Sequence, residues 1–165
     1  MKVRTLLLLT TLLCPTLAFA QHDGMGQGYL FGAIGKSAYT SRTTQVGAGI
    51  GFERLFGPGI GVGLDFQGYG SGGRNGSYGG IRFNANGSYH FRDFALKLVP
   101  FATGGYTGDV ACGTGCGGRS GFNFGGGVNY WITPNRGLRL EVRDHVFREY
   151  GPATHTPEFR LGFSF

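Results

Sequence analysis

Apolar and polar residues alternate one for one along most of this chain. In "TQVGAGIGFE", Val46, Ala48, Ile50 and Phe52 fall on one side, with Gln45, Glu53 and glycines on the other. "IGVGLDFQGYG" sets Ile60, Val62, Leu64 and Phe66 against Asp65, Gln67 and Tyr69. "GIRFNANGSYHF" sets Ile81, Phe83, Ala85, Tyr89 and Phe91 against Arg82, Asn84, Asn86, Ser88 and His90. "GFNFGGGVNYWI" and "GLRLEVRDHVF" repeat the pattern, the second placing Leu138, Leu140, Val142 and Val146 opposite Arg139, Glu141, Arg143 and His145. A period of two over stretches of about ten residues predicts half-buried strands, not helices. "GQGYLFGAIGKS" and "LKLVPFATGGYTG" carry apolar residues on both sides, so strands are expected there with their inward faces left open. The final "EFRLGFSF", with Phe159, Leu161, Phe163 and Phe165 on every second position, brings the expected total to eight.

The connectors sort into two kinds. Brief ones follow strands two, four and six: "FGPG", "RDFA" and "TPNRG". Longer ones follow strands one, three, five and seven: "YTSRTT", "GSGGRNGSYGG", "GDVACGTGCGGRS" and "REYGPATHTPE". An even number of strands, with short turns at one end and long loops at the other, is the layout of a membrane-spanning barrel. The expectation is an all-β, eight-stranded antiparallel up-and-down transmembrane β-barrel, with short periplasmic turns and longer outer loops.

Face polarity separates this barrel from a soluble one, which keeps its apolar residues inside. Here one face is Phe, Leu, Val, Ile and Tyr, and the other holds charge and glycine. A narrow eight-stranded interior tolerates Glu53, Asp65, Arg82, Arg139, Glu141, Arg143 and Arg160 only if they pair and hydrogen-bond. The apolar face then meets lipid, and closure of the sheet satisfies the backbone within the bilayer. Phe52, Phe56, Phe91, Phe94, Tyr130, Trp131 and Phe165 are expected near the short-turn end as an aromatic girdle.

Composition changes the picture at the N-terminus. "MKVRTLLLLTTLLCPTLAFA" has basic Lys2 and Arg4, a Leu-rich run and an Ala18-Phe19-Ala20 end, the layout of a cleaved secretory signal over residues 1–20. Residues 21–165 are then expected to form one barrel domain. Glycine is abundant, at 34 residues, yet 15 Phe and 8 Tyr are spread among them, which argues against glycine-rich disorder. The net charge of +6 falls to +4 without Lys2 and Arg4, too modest and dispersed for nucleic acid.

On these features the chain resembles the small eight-stranded outer-membrane proteins of Gram-negative bacteria, the OmpA-like and OmpX-like barrels. The resemblance rests on the leader, the alternating strands and the terminal "EFRLGFSF". It implies an outer-membrane location, outer-membrane lipid as the surroundings, and Phe163 and Phe165 as a C-terminal signal read by the barrel-assembly machinery. Arg160 stands where a glycine is common in that family. A monomer is expected, and the surface partner is not named by the sequence.

Candidate chemistry is sparse. Cys112 and Cys116 in "CGTGC" are expected to form a disulfide in an oxidising envelope; two thiols fall short of a structural zinc set. Gly35-Lys36-Ser37 lacks the earlier glycine of a phosphate loop, that position being Leu30. "GVGLDFQG" echoes a calcium-binding repeat but occurs once, so Asp65 is read as an interior strand residue. Asn75 and Asn86 carry the glycosylation spelling, of little weight here. A lipid A-modifying enzyme needs a nucleophile beside a base and an orienting acid. Asp144, His145, Glu149 and His155 lie near the last outer loop, but no serine neighbours either histidine. Asp144, His145 and Arg148 are instead expected to form one polar network at the outer rim. A narrow solute pore is the other rival, opposed by the filling of so small a lumen. No catalytic residue, cofactor or metal is expected.

Overall fold

A computed structural model describes residues 26–36, 43–73, 76–92, 97–148 and 152–165. The expected leader, Phe94, Asn75 and Glu149 lie outside these residues. Eight strands follow in order: β1 (Gly26–Lys36), β2 (Thr44–Phe56), β3 (Ile60–Gly73), β4 (Gly76–His90), β5 (Leu98–Cys112), β6 (Cys116–Thr133), β7 (Arg136–Phe147) and β8 (Thr154–Ser164). Each pairs antiparallel with the next, and β8 pairs back onto β1, closing the barrel. Closure leaves no strand edge unpaired around the wall.

The barrel is inside out relative to a water-soluble protein. Arg143 is 1% exposed, whereas Phe122 is 71% exposed. Leu64, Phe66, Phe124, Val142 and Leu161 likewise face outward, while Asp65, Asn84, Glu141 and Arg160 are buried. An exposed belt of this size is stable only against an apolar solvent.

The two strands with unassigned faces resolve clearly. On β1, Gln27, Tyr29 and Phe31 point inward and Leu30 and Ile34 outward; on β5, Phe101, Thr103, Thr107 and Asp109 are buried and Tyr106 and Val110 exposed. Aromatic rings therefore enter the lumen, and glycines of β2 give them room. A Cβ on Gly51 would stand 2.1 Å from the ring of Tyr29, and one on Gly49 would stand 2.5 Å from that of Phe31.

At the turn end, residues 57–59 join β2 to β3 with Gly57 and Gly59 at positive φ (52° and 124°), where a side chain would be strained. Trp131 departs from the expected girdle. It shares the inner side of β6 with Asn129, and a Cβ on Gly137 would lie 3.1 Å from its ring. Phe52, Phe56, Phe91 and Tyr130 are exposed at this end.

At the loop end, two of the four long connectors turn out to be mostly strand. Pairing of β3 with β4 runs up to Gly73↔Gly76, and that of β5 with β6 up to Cys112↔Cys116. Extended glycine-rich chain satisfies its own backbone by pairing across the hairpin, which a solvated loop would not.

Candidate functional site

The lumen is organised by one line of alternating charges. Glu53 pairs with Arg139 at 3.2 Å, and Arg139 with Glu141 at 3.1 Å. Glu141 pairs in turn with Arg143, and Arg143 with Asp65 at 2.9 Å. Asp65 holds Arg160 at 3.3 Å, and Arg160 contacts Glu158. Glu158 reaches Arg82 at 3.1 Å; Arg82 meets Asp109 at 3.1 Å, and Asp109 meets Arg119 at 2.9 Å. Each inner carboxylate uses its two oxygens on two different guanidiniums: Glu141, Asp65, Glu158 and Asp109 all do so. Five carboxylates meet five guanidiniums, so among the described residues the ladder is neutral. The chain's net positive charge therefore comes from residues outside the ladder.

Burial on this scale is tolerable only with every charge paired and its remaining lone pairs satisfied. Neutral side chains complete the sets. Asp65 also accepts from Asn84 at 2.6 Å and Asn86 at 3.0 Å. Glu53 accepts from Gln27 at 2.7 Å and Ser88, and contacts His90 at 3.1 Å. His145 bridges Thr107 at 3.0 Å and Glu158 at 3.2 Å.

Aromatic faces carry the arginines. Arg139 lies 4.6 Å from the ring centre of Tyr29 and 4.0 Å from that of Phe101. Arg160 sits over Phe31 at 4.5 Å, Arg82 over Tyr69 at 4.9 Å, and Arg119 over Phe147 at 3.8 Å. Guanidiniums stack well on such faces, and the interaction strengthens when water is excluded.

All seven charged residues singled out for the interior lie on the ladder. Asp109, Glu158 and Arg119 complete it and were not singled out. For Glu158 the cue was parity, since it stands two residues before Arg160; Asp109 and Arg119 had none, as both fell in the connector "GDVACGTGCGGRS".

The rim network expected of Asp144, His145 and Arg148 does not form as such. Asp144 and His145 are neighbours on a strand and so face opposite ways. His145 is buried in the lumen, while Asp144 turns outward and holds Nδ1 of His155 at 2.6 Å. Among the described residues, no serine or threonine hydroxyl bonds to His155. Lys36 is the last residue of β1, and Ser37 lies outside the described residues.

Cys112 and Cys116 are joined as a disulfide across the tip of the β5–β6 hairpin, with Cα atoms 4.1 Å apart. Three residues below each cysteine, Asp109 faces Arg119 across the same hairpin. The staple thus closes the hairpin that supplies the outermost rung. Phe163 is exposed on β8, and Phe165 follows it at the turn end.

No protein-family model and no curated protein sequence matches the chain. Solved structures do. Neisserial surface protein A superposes with a TM-score of 0.66 at 16% identity, over 84% of this chain and 94% of that one. The N-terminal β-barrel domain of OprF from Pseudomonas aeruginosa gives 0.63 at 15% identity, over 87% and 100%. The outer membrane enzyme PagL gives 0.63 at 15% identity, over 83% and 98%. The chain has the fold of the small outer-membrane barrels. That fold hosts an enzyme as well as other proteins, so it does not by itself assign a role.

Proposed function

We propose that this protein is an integral outer-membrane barrel with a closed, filled lumen, acting structurally or through its surface hairpins and without enzymatic activity. The charge ladder carries the reading: ten charged side chains run through the interior from the turn end to the loop end, each paired with an opposite charge. On this reading residues 1–20 are a cleaved leader, the short turns are periplasmic, and Phe163 and Phe165 are read by the barrel-assembly machinery during insertion. Outer-membrane lipid surrounds a monomer, and the hairpins beyond β3 to β6 offer the surface for any partner. Cell fractionation combined with heat-modifiable gel mobility tests the class. Recovery in the outer membrane with a heat shift is expected, and a soluble protein without one would overturn it. Lipid A mass spectra from cells with and without the protein test the non-enzymatic part: identical spectra are expected, and an altered acyl pattern would establish the enzyme instead.

A further inference from the structure

Two features of the lipid-facing wall share strands β7, β8 and β1, the first extending onto β2 as well. The first is an open apolar groove of about 720 Å³, lined by Leu30, Gly32, Ala48, Ile50, Leu161 and Phe163. It crosses the seam where β8 closes on β1. Gly32 forms part of its floor, and a Cβ there would touch nothing within 4 Å. The second is a polar cluster above the groove, toward the loop end. Asp144 of β7 lies beside Pro157 of β8 in the register, and Lys36 lies one step beyond Gly35↔Glu158 on the other side of Pro157. His155 is held by Asp144 at 2.6 Å, yet its side chain is 57% exposed. Lys36 and Arg148 are exposed as well. Between groove and cluster the wall is apolar again, with Ile34, Val142 and Phe159 exposed.

An outward carboxylate, imidazole and ammonium are costly against acyl chains and favourable at the level of headgroups. From Pro157 to Leu161 a strand rises about 13 Å. That separation suits a lipid whose phosphorylated head meets Lys36, His155 and Arg148 while one acyl chain descends β8 and β1 into the groove. From this geometry we infer that the β7–β8–β1 wall binds one phosphorylated, multiply acylated lipid of the outer leaflet as a specific ligand. The cations complement its phosphate. The Asp144 carboxylate is engaged by Nδ1 of His155, which fixes the imidazole with its other nitrogen toward the headgroup. The small residues Gly32 and Ala48 leave the width that an acyl chain fills. The inference rests on the outer-membrane reading above.

Native mass spectrometry of the refolded full chain in dodecyl maltoside micelles tests it, with bisphosphorylated lipid A as probe and phosphatidylcholine as control. Gly32→Leu puts a side chain into the groove at a position whose Cβ meets nothing within 4 Å. Gly68→Leu makes the same outward addition on β3, where a Cβ also meets nothing within 4 Å. Lys36→Gln removes a cation. Heat-modifiable mobility first confirms that each variant is a folded barrel; failure of the wild type at this step defeats the outer-membrane reading and not the lipid site. The expected result is a one-to-one lipid A adduct on wild type and Gly68→Leu. Gly32→Leu and Lys36→Gln should each weaken it roughly tenfold, the effect of losing one good contact. Three results would overturn the site: equal binding by Gly32→Leu, equal binding of phosphatidylcholine by wild type, or a wild-type dimer that Gly32→Leu dissociates, which would make a second copy the occupant.

Discussion

The ring of Phe165 lies over Gly28, and the two residues exchange backbone hydrogen bonds. Gly28 N donates to Phe165 O at 3.0 Å, and Phe165 N donates to Gly28 O at 2.9 Å. A Cβ on Gly28 would stand 2.8 Å from the ring. An aromatic ring covering a bare glycine backbone on a neighbouring strand fixes register as well as contact. Phe165→Ala should therefore cost about 1 kcal/mol in unfolding free energy. Gly28→Val should cost more, because its branched side chain displaces the ring. Urea titration of refolded protein in micelles reads both, and an unchanged midpoint in Gly28→Val would contradict the packing.

Removing a rung from the middle of the ladder takes one of two charge partners from each of two guanidiniums, whereas removing the last one takes a partner from a single carboxylate. Asp65→Leu should destabilise the barrel by about 3–5 kcal/mol, the range for breaking a buried pair from one side. Arg119→Leu, at the end and partly stacked on Phe147, should cost less. Equal losses in guanidinium chloride melts would mean that the ten charges do not act as a linked set.

The filled lumen predicts electrical silence. In planar bilayers the wild type should show no steady conductance, and shortening both Arg143 and Arg160 to Ala should raise leak. A stable open channel in the wild type would restore the pore as the better reading.

Depth along the outer wall sets the penalty for a lipid-facing charge. Leu140→Arg, midway along β7, should cost about 2–4 kcal/mol, and Ile132→Arg, near the turn end, at most about 1 kcal/mol. Matched unfolding titrations in vesicles check the difference, and a reversed order would misplace the membrane belt.

The Cys112–Cys116 ring is short, so its reduction returns little entropy to the unfolded chain, worth about 2 kcal/mol at most. Its expected signature is local. Treatment with dithiothreitol should leave the barrel folded while exposing the β5–β6 tip to protease. Global unfolding on reduction would assign the staple a larger role.

Alternation alone exposed most of this architecture. Six strands showed clean period-two faces, and their interior charges are where parity puts them. β1 and β5 were opaque because Tyr29, Phe31 and Phe101 are aromatic yet point inward. What admits them is long-range: glycines of β2 facing the two β1 rings, and arginines from β7 and β8 stacked on all three. No local pattern encodes such partners. Trp131 misled for the opposite reason, since an aromatic near a turn suggests a girdle while its parity with Asn129 places it inside. The outward pair of Asp144 and His155 was hidden because a sequence neighbour, His145, was grouped with Asp144, although adjacent strand residues never share a face.

The ten charges of the ladder come from every strand except β1. Sliding any contributing strand by one residue would point its ionised groups at oil and break contacts on two other strands at once. Misaligned intermediates are thereby penalised during assembly, and the wall carries its own proofreading.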